Sequence, residues 1–318
     1  MNSHKHKVLF LCGFFLTCLC LFSCSNESGS EQGGNLQNAA DQNLLRSMEL
    51  VDAAVGNYFS NESMSMARYY NPYTQVSSQE RASVWMYTSA IEAVNSILKA
   101  LKTQSDLGYT ALYDQHHVRY VQLLEKLFDG LQYYKGSFRL VSYTQTREWS
   151  VYAVNRAGAP GTADVSGILN VYDDQQWLVR ELLESYHLTG NREYLDEAEY
   201  LAQYVLDGWD CTLDSAGKEY GGITWGPGYV SKHSCSNGPL VSPLVWLYEI
   251  YKDSEETITY GYMKQDKSRA SKTVKKSDYY LDFAKKVYDF QRNHLLRQDG
   301  VYDDMLGGDD THGQVVYE

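Results

Sequence analysis

The stretch Asn170-Val171-Tyr172-Asp173-Asp174-Gln175-Gln176-Trp177 places two carboxylates side by side at the head of a run with helical spacing. Apolar residues recur through that run at steps of three and four: Trp177, Leu178, Leu182, Leu183, Tyr186 and Leu188. Gly190 follows, and glycine is the residue type that commonly ends a helix. The sequence therefore predicts a helix whose first turn carries Asp173 and Asp174.

This adjacent pair of carboxylates has a structural and a chemical interpretation. One Asp could simply cap the helix, because Asp is among the commonest N-cap residues. A cap explains one Asp and not two. Two neighbouring carboxylates repel each other, which raises one pKa and gives a site an acid and a base from a single residue type. Asp173 and Asp174 are therefore the candidate catalytic residues.

Together with 185–191 (SYHLTGN) and 194–198 (YLDEA), this stretch resembles glycoside hydrolase family 76. The resemblance implies an all-α fold, the (α/α)6 six-hairpin barrel. It also implies an endo-acting, retaining hydrolase of α-1,6-mannosidic linkages in mannan backbones, with Asp173 as nucleophile and Asp174 as general acid/base. A retaining site needs two carboxyl groups about 5–5.5 Å apart, which adjacent residues meet if their side chains diverge. We expect a mannan polysaccharide or oligosaccharide as partner, no cofactor and no metal.

The resemblance extends to residues expected to contact the sugar. They are aromatic, glycine or asparagine residues: Tyr172, Trp177, Trp85, Tyr87, Gly222, Trp225 and Asn237. Each also has a structural alternative. Trp85 and Tyr87 could pack in the core, Gly222 could lie in a plain solvent turn, and Asn237 could cap the helix that follows it.

The N-terminal residues are typical of an exported lipoprotein. Lysine and histidine precede an apolar run from Val8 to Phe22, which is short for a membrane span and suits a signal peptide. We therefore predict a lipoprotein signal peptide over 1–23, lipidation at Cys24, a flexible Gly/Ser-rich tether over 24–42, and one hydrolase domain over 43–318. An uncleaved anchor is the alternative. Either way we expect export and anchoring to a bacterial outer membrane through lipid only.

Two cysteines remain in the domain, Cys211 and Cys235, and an oxidising compartment could join them in one disulfide. They lack histidines at ligand spacing, which makes a poor metal site. The formal charge of −12 argues against nucleic acid and against an anionic membrane surface as partners.

Apolar spacing predicts helices near 43–59, 80–102, 113–134, 174–189, 191–207, 237–252 and 277–296, and a β-hairpin within 137–154. We interpret the charged segment 253–276 as an exposed insertion, and a second Tyr-Asp-Asp triplet at 302–304 as a structural loop. The resemblance covers roughly 80–308, whereas the family domain continues through further helices. The alternatives to a hydrolase are a non-catalytic glycan-binding lipoprotein and an inactive, truncated remnant of the same fold.

Overall fold

The structure is a computed structural model that describes residues 28–60 and 63–306. In that part of the chain the α-helices are α1 (Ser28–Tyr58), α2 (Val84–Asp106), α3 (Ala111–Leu131), α4 (Tyr172–Thr189), α5 (Arg192–Asp207), α6 (Val241–Tyr251) and α7 (Lys276–Phe290). The strands are β1 (Phe59–Ser60), β2 (Ser65–Met66), β3 (Tyr70–Asn71), β4 (Val76–Ser77), β5 (Lys135–Val141), β6 (Thr146–Tyr152), β7 (Lys232–His233), β8 (Thr257–Met263), β9 (Arg269–Lys275) and β10 (Met305–Leu306). Each of the seven predicted helices has a counterpart.

Helix α1 crosses a division of the chain into two compact units, residues 1–43 and 44–318. In the first unit, residues 28–43 are helical, so the stretch expected as a tether is helical from Ser28 onward. Its role as a link to a membrane anchor stays a prediction, because the signal peptide and Cys24 lie outside the described residues. In the second unit, Asp52 accepts a hydrogen bond from Arg119 of α3 at 2.9 Å.

Helices α2 to α7 form three antiparallel hairpins within the described residues. The hairpins pair α2 with α3, α4 with α5, and α6 with α7. Helix α4 also packs against both α2 and α6, so these three make one layer and their partners lie behind them. Such a row of helical hairpins is the arrangement from which an α/α barrel is built. The predicted all-α class is therefore confirmed.

Polar side chains join α2 to α4 in the interior. The amide of Asn95 donates to the backbone carbonyl of Glu181 at 3.0 Å and to its carboxylate at 2.9 Å. The Ser185 hydroxyl donates to the Asn95 side-chain carbonyl at 3.0 Å. Nearer the solvent, Arg180 forms an ion pair with Glu92 at 2.6 Å. The exposed side of this helix pair therefore carries charged groups.

Two long β-hairpins lie between the helices. The first, β5–β6, pairs Lys135 with Tyr152 at its open end and confirms the sequence prediction. The second, β8–β9, occupies the segment interpreted as an insertion and was not predicted as strands. Its β9 strand carries polar residues on both faces, so it lacks the alternation that marks a half-buried strand. Among the described residues, no helix has the length and apolar character needed to cross a membrane.

Candidate active site

Asp173 and Asp174 are the second and third residues of α4, which begins at Tyr172. The N-cap residue is Val171, and the helix has no side-chain cap. Neither Asp is therefore the N-cap, and the structural alternative for the pair is wrong. Both carboxylates lie in the first turn, where unpaired backbone N–H groups favour negative charge.

Backbone contacts on two sides hold this first turn of α4 in place. The Tyr172 N–H donates to the carbonyl of Trp225 at 2.7 Å. Gln175 accepts from the N–H of Tyr152 at 3.1 Å and donates to its carbonyl at 2.7 Å, which ties the helix to the end of β6. Gln176 donates to the carbonyl of Ser236 at 2.6 Å. The segment 225–236 and the β5–β6 hairpin together fix the direction in which the two carboxylates point.

The carboxylate of Asp173 is half-buried and is held by the segment that follows α5. Its Oδ1 accepts a hydrogen bond from the indole Nε1 of Trp225 at 3.1 Å. The Cys235 thiol lies against the same carboxylate, and burial, together with the charge of Asp173, raises the pKa of that thiol to about 12. A hydrogen bond from an indole N–H stabilises the charged form of a carboxyl group.

Asp174 lies in the opposite electrostatic environment, since it is almost fully buried. Burial, and secondly the neighbouring charge of Asp173, raises its pKa from 3.8 to about 7. Near neutral pH, Asp174 therefore holds a proton in a large fraction of molecules. The two carboxyl groups therefore differ in burial and in hydrogen bonding.

An aromatic cluster surrounds the open side of Asp173. The ring of Trp225 stacks on His233 with centroids 4.9 Å apart and lies 4.6 Å from the ring of Tyr229. The ring nitrogen Nε2 of His233 is hydrogen-bonded to the hydroxyl of Ser231 at 2.8 Å. Burial lowers the pKa of His233, which favours its neutral form at this site.

A groove lies between α4 and α2. Trp177 and Trp85 both line a cavity of about 350 Å³ in this groove, and the guanidinium of Arg180 lies 4.6 Å from the ring of Trp177. Trp85 is 59% exposed, so the core-packing alternative for it is wrong. Two tryptophans with accessible surface beside a charged group are the kind of surface on which a sugar ring stacks.

Two of the aromatic residues expected to contact sugar are buried instead. Tyr87 has no exposed surface and donates its hydroxyl to the carbonyl of Leu127 at 2.9 Å. Tyr172 is equally buried, and its ring lies 5.1 Å from that of Tyr204. Both predictions of sugar contact are wrong in this structure, because helical position points these rings inward while Trp85 and Trp177 point outward.

Gly222 and Asn237 also lie in the interior of the protein and not on the surface of the site. Gly222 has φ +81°, and the ring of Phe290 occupies the space that its missing Cβ leaves. Asn237 is buried, accepts from the N–H of Ile223 at 2.8 Å and donates to the carbonyl of His233 at 2.8 Å. Its side chain makes no capping hydrogen bond. By position, Asn237 is nevertheless the N-cap residue of the short 3-10 helix Gly238–Leu240. Neither Gly222 nor Asn237 presents surface for the predicted sugar contact, because both are buried.

The two domain cysteines are free thiols in the structure. Cys211 is buried and lines a cavity beside the β8–β9 hairpin, whereas Cys235 lies against Asp173, so the structure has no disulfide between them. Among residues 28–60 and 63–306, no cluster of His, Cys, Asp and Glu is arranged to hold a metal ion.

The site contains residues that the sequence did not indicate. Tyr229, His233 and Cys235 lie around Asp173, and the charge of Asp304 also acts on His233. Asp304 reaches this position because β10 pairs with β7, placing Met305 opposite His233. The repeated Tyr-Asp-Asp triplet at 302–304 was the only sequence signal for this approach, and a pairing over such a separation cannot be read from spacing.

The sequence matches no protein-family model and no curated protein. Its fold is similar to that of several solved structures. A glycoside hydrolase family 76 mannosidase from Bacteroides thetaiotaomicron superposes with a TM-score of 0.53 over 86% of this chain, at 20% identity. A GH76 α-mannanase from Bacteroides thetaiotaomicron gives 0.55 over 82%, at 16% identity. The resemblance seen in the sequence is thus confirmed for the fold.

The same fold also occurs with another activity. D-mannose isomerase superposes with a TM-score of 0.55 over 87% of this chain, at 15% identity. The chain spans 61%, 57% and 60% of the lengths of these three structures, in the order given. Fold similarity at this level does not choose between hydrolysis and isomerisation, so the residues of the site must.

Proposed function

We propose that this chain is a retaining, endo-acting glycoside hydrolase of α-1,6-linked mannan. The observation that carries the proposal is the asymmetry of the adjacent pair. Asp174 is buried with a pKa raised to about 7, while Asp173 accepts the indole hydrogen bond and faces the aromatic cluster. Retaining hydrolysis requires one protonated and one ionised carboxyl group.

The chemistry then follows two steps. In the first, Asp174 gives its proton to the glycosidic oxygen as the C–O bond breaks, and an oxygen of Asp173 bonds to the anomeric carbon. In the second, Asp174 takes a proton from water, whose oxygen displaces Asp173 and regenerates both side chains. The groove beside Trp85 and Trp177 would hold neighbouring sugar rings of the chain.

The test is product release from debranched α-1,6-mannan by the wild type, Asp173→Asn and Asp174→Asn. Asp278→Asn is a matched control, since Asp278 is also an acidic residue in the first turn of a helix. We expect losses of roughly 10²–10⁴-fold or more for the two site variants and none for the control.

Substrates with a good leaving group separate the two roles. A mannosyl donor whose leaving group needs no proton should restore the first step in Asp174→Asn and not in Asp173→Asn. Mannan binding without cleavage would instead favour the glycan-binding lipoprotein. Formation of a ketose from mannose, without cleavage of mannan, would favour an isomerase and refute the proposal.

We also propose export and lipid anchoring through Cys24 at the outer membrane. The support is the sequence alone, a short apolar run that ends at Cys24. Incorporation of radiolabelled palmitate by the full chain, and its loss in Cys24→Ala, is the expected result. Equal labelling of both forms would contradict it.

A further inference from the structure

A second cavity, of about 140 Å³, lies between the two β-hairpins and helices α5 and α7. The residues that line it all lie in the described part of the chain, and neither Asp173 nor Asp174 is among them. The volume is close to the roughly 150 Å³ of an engineered protein cavity that binds benzene. A cavity of this size can hold one small ring.

The walls of this cavity are held in place by contacts between the hairpins. Arg269 of β9 donates to the carbonyls of Tyr143 at 3.0 Å and Ser142 at 2.6 Å, in the turn of the β5–β6 hairpin. The same turn is bound from below by Asp207, whose Oδ1 accepts from Ser142 at 3.0 Å and Gln145 at 2.9 Å. The cavity is thus preformed, which lowers the entropic cost of binding a ligand.

Aromatic rings and charges of both signs line the cavity. Lys272 lies 5.1 Å from the ring centroid of Tyr260, and Arg147 lies 3.9 Å from that of Trp149. Neither cation forms an ion pair with a carboxylate within the described part of the chain. On the opposite side, Glu219 forms an ion pair with Lys286 at 2.9 Å.

This mixture of charges restricts the chemical class of the ligand. The lining holds carboxyl groups at Asp207 and Glu219 and cations at Arg147, Lys272 and Lys286, so it has both hydrogen-bond acceptors and donors. A neutral ring with several hydroxyl groups can donate to the carboxylates and accept from the cations, while its C–H face packs on an aromatic ring. We propose that this cavity binds one uncharged hexopyranose residue, as a non-catalytic site separate from the carboxylate pair.

The choice of mannose as the probe rests on the proposed function, whereas the site itself does not. Binding of methyl α-mannoside is measured by calorimetry in a chain that carries Asp173→Asn and Trp177→Ala, so that turnover and groove binding are both suppressed. In that background Gln203→Phe fills the cavity from α5, and Lys272→Met removes a donor. Lys275→Met is the matched control, because Lys275 lies on the same strand outside the lining.

We expect the dissociation constant to rise roughly tenfold or more in Gln203→Phe and in Lys272→Met, and to stay the same in Lys275→Met. Thermal melting of each variant verifies folding. Gln203→Phe acts by filling the cavity, whereas Lys272→Met acts by removing a hydrogen-bond donor. Absence of mannoside binding, equal binding in all variants, or binding of glucuronate in place of the mannoside would overturn the inference.

The outcome is independent of hydrolysis. Cleavage of a short mannooligosaccharide by otherwise wild-type Gln203→Phe should be unchanged, since the cavity lies outside the pair. A chain that cleaves mannan but lacks cavity binding retains the proposed function and loses this inference. A chain that binds the mannoside in the cavity but cleaves nothing retains this inference and loses the proposed function.

Discussion

The indole of Trp225 donates a hydrogen bond to Asp173 at 3.1 Å, while the backbone carbonyl of the same residue accepts from the N–H of Tyr172 at 2.7 Å. One residue therefore holds both the first helical residue of α4 and the carboxylate that follows it. Because the main chain of Trp225 is fixed by the helix, its indole N–H approaches Asp173 from a set direction. This contact gives Asp173 a defined rotamer before a substrate arrives.

Trp225→Phe removes the indole N–H but keeps an aromatic ring against His233. We expect kcat/KM on mannan to fall about 10–100-fold, because a hydrogen bond to a charged group contributes about 1.5–3 kcal/mol. Trp209→Phe is the control, since its Nε1 also donates to a carboxylate, that of Glu219 at 3.0 Å, away from the pair. Equal losses in both variants would contradict the positioning role.

The raised pKa of Asp174 predicts how activity and stability depend on pH. As general acid, Asp174 must be protonated, so kcat/KM should fall tenfold per pH unit above about 7. The folded chain binds this proton more tightly than the unfolded chain, whose pKa is near 3.8, so its contribution to stability falls as pH rises between these values.

Denaturant unfolding of the wild type and Asp174→Asn tests this linkage. At pH of about 8 we expect the variant to be more stable by about 2–4 kcal/mol, because it does not bury a charge. The difference should shrink through about pH 5 and vanish below about pH 4. A stability difference that stays constant with pH would show that Asp174 does not titrate as described.

Tyr87 and Trp85 should respond in opposite ways to substitution. Tyr87→Phe deletes a buried hydroxyl that donates to Leu127, so we expect about 1 kcal/mol less stability and unchanged kcat/KM. Trp85→Ala removes an exposed ring at the groove, so stability should change by less than about 0.5 kcal/mol while KM for mannan rises several-fold. Unfolding free energies and steady-state kinetics on the same preparations measure both effects. A raised KM in Tyr87→Phe would restore that residue to the binding surface.

Gly222→Ala and Gly108→Ala separate backbone strain from steric contact. Both glycines have positive φ, +81° and +92°, which costs an alanine about 1–2 kcal/mol. Open space surrounds the Cβ position of Gly108, whereas Phe290 occupies that of Gly222. We expect Gly222→Ala to lose about 1–3 kcal/mol more than Gly108→Ala in denaturant unfolding. Equal losses would mean that Phe290 moves aside freely.

The helices and the carboxylate pair could be predicted from the sequence because their signals are local. Apolar spacing marks α4, and two adjacent aspartates at its start stand out without any knowledge of the fold. The sequence did not predict which aromatic rings are exposed at the site and which are buried. Trp85 and Tyr87 are two residues apart on one helix, and their opposite burial follows from the packing of α3 and α4 against α2.

Contacts between segments that are distant along the chain could not be predicted from the sequence. Cys235 and His233 reach Asp173 through the course of the loop after α5, and Asp304 joins them through a two-residue strand pair. The β8–β9 hairpin was missed because its exposed strand lacks apolar alternation. This hairpin forms the wall of a cavity because Arg269 contacts the β5–β6 turn. The two contacts join residues that are separated by 126 and 127 positions in the sequence.

The interior amide of Asn95 prevents α2 from sliding along α4. A shift of one helical turn would break the hydrogen bonds that Asn95 makes with the Glu181 carboxylate and the Ser185 hydroxyl, and each such bond contributes about 0.5–3 kcal/mol. Asn95 lies ten residues beyond Trp85, about 15 Å along the helix axis. The hydrogen bonds of Asn95 therefore influence the width of the groove between Trp85 and Trp177, although Asn95 does not line that groove. Under the proposed function, a substitution at Asn95 would change glycan binding although Asn95 does not contact the glycan.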